Sequence, residues 1–324
     1  MKRTACTLLC TVCCVAALQI DAAETTFPSK PVRIIVPFAA GGPTDIVART
    51  VGQQLTLAFG QPVVIDNRPG AGGVVGADLA AKSAPDGYTL LLCSTGAMAI
   101  NPGLLPSMPY DPVRDLAPIT LVVTIPYLLL VNPSYPAQSV KELLALARAK
   151  PGQLNYGSAG NGTTSHLAME LFRSMANIQV THVPYKGSAP AATDLVGGQL
   201  QLLFDAPPSS LPFVRSGRLR ALGISTMRRT ALLPDMPTIN EAGVPGYEVL
   251  TWSGICAPAG APRAVIARLN EAIVKGVTSR ETRERFAALG ADVVANSPDE
   301  YRKFILAELA KWSRVIREAG IRQE

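Results

Sequence analysis

The chain has little of the residue chemistry on which most enzymes and metal centres depend. Only two of its 324 residues are histidines, His166 and His182. No Cys/His spacing of a metal site occurs, and the G-x-S-x-G sequence that presents a nucleophilic serine in many hydrolases is absent. We therefore expect no metal, no cofactor and no catalytic residue.

Sequence patterns for binding nucleotides or nucleic acids are also lacking. There is no G-x-x-x-x-G-K-[ST], and the run at 70–76 misses G-x-G-x-x-G because Val75 stands where the third glycine is needed. Charged residues make up 17% of the chain, and the 30 basic residues that outweigh 24 acidic ones are scattered. This distribution argues against a nucleic-acid partner, while the mild positive charge favours anions only weakly.

A long apolar stretch occurs only near the amino terminus. Lys2 and Arg3 precede an apolar run at 8–18, and small residues follow up to Ala23. This order is typical of a secretory signal peptide over residues 1–23, and it predicts a secreted protein. The run is shorter than the roughly 20 residues of a membrane span, although an uncleaved anchor stays an alternative.

Cysteine is scarce once this leader is removed. Four of the six cysteines lie within residues 1–23, which leaves Cys93 and Cys256. Each ends an apolar run, as a buried strand residue would, so buried free thiols are our prediction. One disulfide stays open as the alternative, because the secreted protein would sit in an oxidising compartment.

The remaining sequence alternates between strand and helix patterns. Hydrophobic residues make up 48% of the chain, which is enough for a large core. Strands are predicted at 32–37, 63–65, 88–93, 127–131, 153–156, 180–184, 200–204 and 220–224, and helices at 44–59, 74–84, 139–149, 165–175, 189–196, 263–276, 279–289 and 298–319. The alternation predicts an α/β protein with mostly parallel sheets.

Three residues mark the ends of predicted helices. Thr44 can cap the start of the first helix and Gly60 can stop its end. Ser139, followed three residues later by glutamate, has the pattern of a capping box.

No low-complexity linker divides the chain into domains. Two lobes would therefore be joined by strands or short crossovers, with plausible crossings near Pro126 and near 246–251. This topology predicts one lobe from residues 24–125 together with 251–324, and a second lobe from residues 126–250.

Four loops at the ends of predicted strands have a composition suited to an anion. They cover residues 38–45, 70–73, 94–96 and 157–164. Glycine lets the backbone approach a ligand, helix N-termini offer free N–H groups, and hydroxyl groups add further donors. Ligands of α/β proteins bind beyond the carboxyl ends of strands, so the four loops together predict a site.

Four single residues have both a functional and a structural interpretation. Asp45 can contact a ligand or shape its own helix start, and structure is favoured slightly. Asp205 ends an apolar run, and the two roles are balanced there. A solvated Lys186 and a packed His166 are favoured over contacts to a ligand.

Six segments resemble those of a known family of receptors. They are KPVRIIVPFAAGGPTD at 30–45, NRPGAGG at 67–73, NYGSAG at 155–160, VPYKG at 183–187, LPDMPT at 233–238 and GVPGYE at 243–248. In order and spread over nearly the whole mature chain, they resemble the extracytoplasmic solute receptors of tripartite tricarboxylate transporters, also called the Bug family.

The resemblance implies an α/β fold with two lobes, a hinge of two strands and a cleft between the lobes, as in a type II-like periplasmic binding protein. It also implies a ligand site in loops of both lobes. The implied ligand-binding residues are Phe38, Gly41, Gly42, Asp45, Ser94, Thr95, Ser158, Gly160, Thr163, Thr164 and Asp205. The family usually has a proline before the two glycines, where this chain has Ala39 and Ala40.

The implied function is capture of a small carboxylate and its delivery to the permease subunits of a membrane transporter. The receptor is expected to act as a monomer, and hinge closure would bury the ligand. Two alternatives stay open: a receptor that signals ligand status to a membrane kinase, and a secreted hydrolase that uses His166 with Ser158 or Ser165.

Overall fold

A computed structural model describes residues 27–185, 187–230 and 232–321. The predicted signal peptide and Lys186 lie outside the described residues. Within that part of the chain, no helix combines the length and the apolar character that a membrane crossing requires.

Eleven strands and ten α-helices are found among the described residues. The strands are β1 Val32–Val36, β2 Val63–Asn67, β3 Thr89–Ser94, β4 Leu116–Pro126, β5 Leu128–Val131, β6 Asn155–Ser158, β7 Thr181–Pro184, β8 Leu202–Asp205, β9 Arg220–Ile224, β10 Leu250–Pro258 and β11 Asp292–Val293. The helices are α1 Pro43–Phe59, α2 Val74–Ala81, α3 Asn101–Leu104, α4 Val140–Ala149, α5 Thr164–Ala176, α6 Ser188–Val196, α7 Pro207–Arg215, α8 Arg263–Val277, α9 Arg280–Ala288 and α10 Pro298–Ala319.

Most predicted helices and strands are confirmed to within a few residues, but the predicted cap of α1 is wrong, and three strands and two helices were not predicted. Gly42, not Thr44, is the N-cap of α1, while Gly60 ends that helix with φ 67°. Ser139 caps α4 by accepting the Glu142 N–H at 3.2 Å. The prediction omitted β4, β10, β11, α3 and α7. Strands β4 and β10 are the longest among the described residues, and no periodicity separated them from their flanking loops.

Two sheets form the centres of two lobes. Lobe 1 contains a six-stranded sheet in the order β11-β4-β10-β3-β1-β2, and lobe 2 contains a five-stranded sheet in the order β7-β6-β8-β5-β9. The α/β fold with two lobes is thus confirmed. The exact predicted boundaries, 24–125 with 251–324 against 126–250, stay a prediction.

The prediction of mostly parallel sheets is wrong. Strand β1 runs parallel to β2 and β3, and β6 runs parallel to β7 and β8. Strands β4, β5 and β10 pair antiparallel with all their neighbours, since the chain leaves lobe 1 through β4 and returns to it through β10. Local alternation of strand and helix does not reveal such a crossing.

The two crossings lie side by side. Strands β4 and β10 pair from Leu250 opposite Pro126 to Pro258 opposite Leu116. At the lobe 2 end of this pair, the buried side chain of Ser225 accepts a hydrogen bond from Tyr127 N at 2.8 Å and donates one to Val249 O. The backbone N–H and C=O groups of Ser225 also form hydrogen bonds with Tyr127 and Val249. This one serine therefore connects both crossings to lobe 2.

A disulfide joins Cys93 in β3 to Cys256 in β10. The two Cα atoms are 6.4 Å apart, and the bond crosses diagonally between neighbouring antiparallel strands, because Cys93 faces Gly254 and Cys256 faces Leu91. The prediction of free thiols is therefore wrong, and the alternative that the sequence left open is present.

Replacing both cysteines with alanine should lower the free energy of unfolding by about 2–4 kcal/mol, because the bond closes a loop of 163 residues in the unfolded chain. Urea unfolding of the oxidised protein and of the double variant measures this loss. Equal stability of the two proteins would contradict the prediction.

Ser225→Ala should lower the free energy of unfolding by about 1–3 kcal/mol, because it removes the acceptor of Tyr127 N and the donor to Val249 O in a buried place. Ser83→Ala is the control, since the Ser83 hydroxyl bonds its own helix at the surface. Urea unfolding compares the variants, and equal losses would refute a special role of Ser225.

Candidate functional site

A cavity of about 320 Å³ lies between the two lobes. Its size falls at the lower end of the roughly 300–1,000 Å³ range of ligand pockets. Lobe 1 contributes Phe38, Thr44, Ala71, Gly72, Ser94, Gly96, Ile100, Asn101, Leu104, Thr251, Trp252 and Ser253. Lobe 2 contributes Asn161, Gly162, Thr163 and Thr164, and Tyr127 lies at the first crossing.

The first wall is the loop between β1 and α1, and Asp45 sets its shape. The buried carboxylate accepts hydrogen bonds from Gly41 N at 2.9 Å, Arg49 Nε at 2.7 Å and Asn67 Nδ2 at 2.9 Å. Asn67 also donates to Phe38 O at 3.0 Å, which places Phe38 at the cavity. Burial by itself raises the pKa of Asp45, but the three hydrogen bonds outweigh it and lower the pKa.

The opposite wall is the loop between β6 and α5. Thr163 caps α5: its hydroxyl donates to Gly160 O at 2.7 Å and accepts the His166 N–H. Ser165 Oγ accepts Ala159 N at 2.9 Å, and Ser158 Oγ accepts Gly160 N at 3.1 Å. These local bonds fold residues 158–165 into a turn that presents Gly162 to Thr164 to the cavity.

Two histidines lie behind this turn. The rings of His166 and His182 stack with centroids 4.0 Å apart, and Tyr156 stacks on His182 at 4.7 Å. His166 Nδ1 accepts Gly162 N at 3.1 Å, and His182 Nε2 shares a 2.7 Å hydrogen bond with Ser158 Oγ. Burial is the largest cause that lowers the pKa of His166, and together with the nearby His182 and Arg173 it brings the pKa to about 3.

The cavity floor comes from the ends of β3 and β10. Ser94 faces Ser253 across the two strands, and both line the cavity. Thr95 lies one layer deeper, where its hydroxyl accepts Trp252 N at 2.9 Å. The disulfide described above joins the same two strands.

The two lobes touch at Leu104 and Gly162. A Cβ atom built on Gly162 would overlap Leu104 Cδ2, and Gly162 has φ 72°. Both residues line the cavity. The positive φ therefore favours glycine at this position, and a Cβ atom would require the Leu104 side chain to shift.

The described cavity wall contains no charged side chain. Its positive character comes from the N-termini of α1 and α5, where the first backbone N–H groups have no partner inside the helix. Thr44 and Thr164 place these two helix ends at the cavity from opposite lobes. Such an arrangement can hold an anionic group without an ion pair.

Asp205 is buried at the end of β8, where Ser209 Oγ donates to its carboxylate at 2.6 Å. Burial raises the pKa of Asp205, and the hydrogen bonds from Ser209 and Ser188 offset this in part. Asp205 pairs with Leu128 in β5, next to the cavity residue Tyr127, but it is outside the cavity lining.

The predicted site residues fall into two groups. Phe38, Ser94, Thr163 and Thr164 line the cavity. Gly41, Gly42, Asp45, Thr95, Ser158, Gly160 and Asp205 do not line it. Of this second group, Asp45, Thr95 and Ser158 are hydrogen-bonded to the backbone or side chains of the lining loops. Ligand contacts by any of these residues stay a prediction.

Several cavity residues were missed from the sequence. Thr251, Trp252 and Ser253 follow the predicted second crossing, and that position was a usable signal. Ile100, Asn101 and Leu104 lie in a π-helical turn and in α3, which follow β3 without a recognisable pattern.

An α/β protein with two lobes, a two-strand hinge and a polar cavity between them has the architecture of a periplasmic solute-binding protein. A family model described as "Tripartite tricarboxylate transporter family receptor" matches residues 47–321. The chain belongs to this family, whose members are periplasmic solute receptors.

Relatives of this chain match it along nearly all of their length. Protein BugT of Bordetella pertussis is 40% identical over 306 residues, which are 94% of each chain. A structure of an R. palustris protein with adipate is 38% identical, has a TM-score of 0.81 and covers 91% of this chain and 99% of its own. MatC from Rhodopseudomonas palustris with bound malate is 34% identical, has a TM-score of 0.76 and covers 90% of this chain and 100% of its own.

His166→Asn should reduce the loss of stability in acid. The folded protein keeps His166 neutral down to a pKa of about 3, while the unfolded chain takes up a proton near pH 6.5. His166 therefore lowers the free energy of unfolding as the pH falls below about 6.5, by about 2 kcal/mol between pH 7 and pH 5. Asparagine does not titrate, and its Oδ1 can still accept Gly162 N.

Urea unfolding of both proteins at pH 7, 6 and 5 measures the difference, since the other titrating groups are common to them. Parallel pH dependence of the two proteins would refute the role given to His166.

Gly162→Ala should weaken ligand binding, because the added methyl group meets Leu104 Cδ2 and this side chain has to shift before the lobes can approach. Gly152→Ala is the matched control, since Gly152 has φ 74° and an open space around its missing Cβ. Both variants carry similar backbone strain. Calorimetric titration with a bound acid compares them, and equal affinities would count against the lobe contact.

Proposed function

We propose that this protein is a periplasmic receptor that captures a small carboxylate between its lobes and delivers it to a transporter in the membrane. The observation that carries the proposal is that the N-termini of α1 and α5 both lie at the cavity. None of the described lining residues has a charged side chain. Buried carboxylates need such paired donors.

The carboxylate class is supported by related structures. An adipate-bound and a malate-bound protein share this fold at 38% and 34% identity. Both ligands are dicarboxylates of a size that suits a cavity of about 320 Å³. Phe38, Ser94, Thr163 and Thr164 are proposed as direct contacts, and Asp45 and Ser158 as residues that shape the loops.

Closure of the hinge is proposed as the binding step. The paired strands β4 and β10 allow the lobes to rotate, and Leu104 meets Gly162 when the cavity is covered. A ligand that contacts both loops favours this closed arrangement, which presents a changed surface to the permease subunits.

The receptor is proposed to have no catalytic activity. The best candidate pair for a hydrolase is Ser158 with His182, 2.7 Å apart, but Ser158 is fully buried and outside the cavity lining. The His166 ring accepts Gly162 N instead of activating a serine. A nucleophile has to reach its substrate, so these contacts favour a structural role for both histidines.

The secreted location, the monomeric state and the permease partner are parts of the same proposal. A receptor that signals to a membrane kinase would use the same cavity. Deletion of the receptor should abolish uptake of the ligand by cells if transport is its role, and should leave uptake intact if it only signals.

The test is thermal unfolding of the protein exported with its own leader, after unfolding and refolding to remove carried-over ligand. A carboxylate at about 100 times its dissociation constant should add about 2.7 kcal/mol, which is a clear rise in melting temperature. Amides of the same acids are the controls, because they keep the carbon skeleton and lose the charge. No rise with any acid in a broad collection would overturn the carboxylate assignment.

A further inference from the structure

The floor of the cavity presents hydroxyl groups to a ligand. Ser94 at the end of β3 and Ser253 in β10 are directly opposite each other in the antiparallel pair, so both side chains lie on the same face of the sheet. Both residues line the cavity, and they keep 6% and 7% of their surface exposed, whereas the neighbouring Trp252 keeps only 1%. The part of the floor that a ligand can touch therefore includes two hydroxyl groups and not the indole.

These two hydroxyl groups have unused capacity for hydrogen bonds. Within the part of the chain that the structure describes, Ser253 Oγ has no hydrogen-bond partner. Ser94 Oγ accepts Ala97 N at 3.4 Å, and no acceptor for its own proton is found among the described residues. Side chains that face each other across an antiparallel pair have Cβ atoms about 4.5–5.5 Å apart. One oxygen atom of a ligand can therefore bond both serines.

An amide oxygen at the same cavity can only accept hydrogen bonds. Asn101 is buried and lines the cavity, and its Nδ2 donates to Gly72 O at 3.0 Å. This bond orients the amide, because only its nitrogen can donate to a carbonyl oxygen. No donor from residues 27–185, 187–230 or 232–321 bonds Asn101 Oδ1. A ligand group beside this oxygen should therefore have a proton to donate.

A hydroxyl group is the ligand substituent that suits this set of partners. It can accept from a serine and donate to Asn101 Oδ1, whereas a methylene group would leave these polar groups desolvated without a partner. A carboxylate can only accept, so beside Asn101 Oδ1 it would meet a second acceptor. A buried ammonium group needs a charged partner, and no acidic side chain occurs among the described lining residues.

We propose that the cavity prefers carboxylates with a hydroxyl group on the carbon chain over acids of the same skeleton without one. Ser94, Ser253 and Asn101 are the specificity-determining residues. The half-buried Phe38 and Leu104 also line the cavity and would contact carbon atoms, which favours a short hydroxy acid over a sugar acid. This inference rests on the proposed function, because it concerns the ligand of the same site.

The test uses three pairs of acids with the same skeleton and number of carboxylates: succinate with malate, glutarate with 2-hydroxyglutarate, and butanoate with 3-hydroxybutanoate. Both enantiomers of each hydroxy acid are titrated by calorimetry. The hydroxylated member of the best-bound pair should bind at least tenfold more tightly, about 1.4 kcal/mol, because a site built to bond a hydroxyl group rejects the analogue that lacks it. Equal or tighter binding of the other member overturns the inference and leaves the receptor function intact.

Three further outcomes separate the inference from the proposed function. The amino analogue of the best-bound hydroxy acid (aspartate, glutamate or 3-aminobutanoate) should bind at least tenfold less tightly, and tighter binding overturns the choice of a hydroxyl group. Binding of none of the six acids by a protein that binds another carboxylate overturns the inference alone. Binding of no carboxylate at all overturns the proposed function as well.

Ser253→Ala removes an oxygen that no described residue bonds, so the fold should be kept. The preference within the best-bound pair should fall to less than threefold, because only the hydroxylated acid loses a partner. Ser83→Ala is the matched control, since the Ser83 hydroxyl bonds its own helix at the surface and should leave the preference unchanged. An unchanged preference in Ser253→Ala, or equal weakening of both acids, contradicts the role given to Ser253.

Asn101→Leu tests the acceptor with a side chain of the same branching. It removes Oδ1 and also the bond to Gly72 O, so the affinity for both acids can change. Only the loss of Oδ1 acts on the ligand hydroxyl, so the hydroxylated acid should lose at least fivefold more affinity than its partner. Equal losses would show that Asn101 only orients the loop of Gly72, and they would overturn its part in specificity.

Discussion

The antiparallel pairing of β4 with β10 is the constraint on which the rest of the molecule depends. These two strands carry the chain out of lobe 1 and back into it, and they lie next to each other along their whole length. Ser225 binds the backbone of both crossings where they enter lobe 2. Because both connections lie side by side, the lobes can rotate about one axis while the loops on either side keep their own shape. The cavity lies beside this pair, and Tyr127, Thr251 and Trp252 line it directly from the crossings.

Each lobe builds its wall of the cavity with local polar bonds rather than with charges that face the ligand. In lobe 1 the carboxylate of Asp45 stabilises the turn before α1 by hydrogen bonds. In lobe 2 the hydroxyl of Thr163 and the stacked histidines stabilise the turn before α5. Both turns end at a helix N-terminus, where backbone N–H groups can receive an anion. A site of this kind can hold an anionic group through backbone N–H groups.

The sequence indicated the correct fold class and part of the site, for identifiable reasons. The limits of helices such as α1 and α5 were predicted to within one residue, because apolar residues recur along them at helical spacing. Phe38, Ser94, Thr163 and Thr164 follow strands at glycine-rich turns, and they line the cavity. The direction of the strands could not be predicted from the sequence, because no local sequence pattern distinguishes a strand that crosses between the lobes from its neighbours in the sheet. The pairing of Cys93 with Cys256 was left open for the same reason, because only the pairing of β3 with β10 brings them together.

By itself, the sequence determined most of the helices and strands, which loops are rich in glycine and hydroxyl groups, and which family the chain resembles. These properties depend on neighbours along the chain, such as the periodicity of α10 or the glycines around Gly162. Only the tertiary structure decided that Trp252 shares its acceptor Glu308 with Trp312, and that Leu104 meets Gly162 across the lobes. The contact of Trp252 with Glu308 joins residues 56 positions apart, and Leu104 and Gly162 are similarly distant along the chain. These contacts exist because packing and hydrogen bonding of the whole fold bring those residues together, and no local pattern records them.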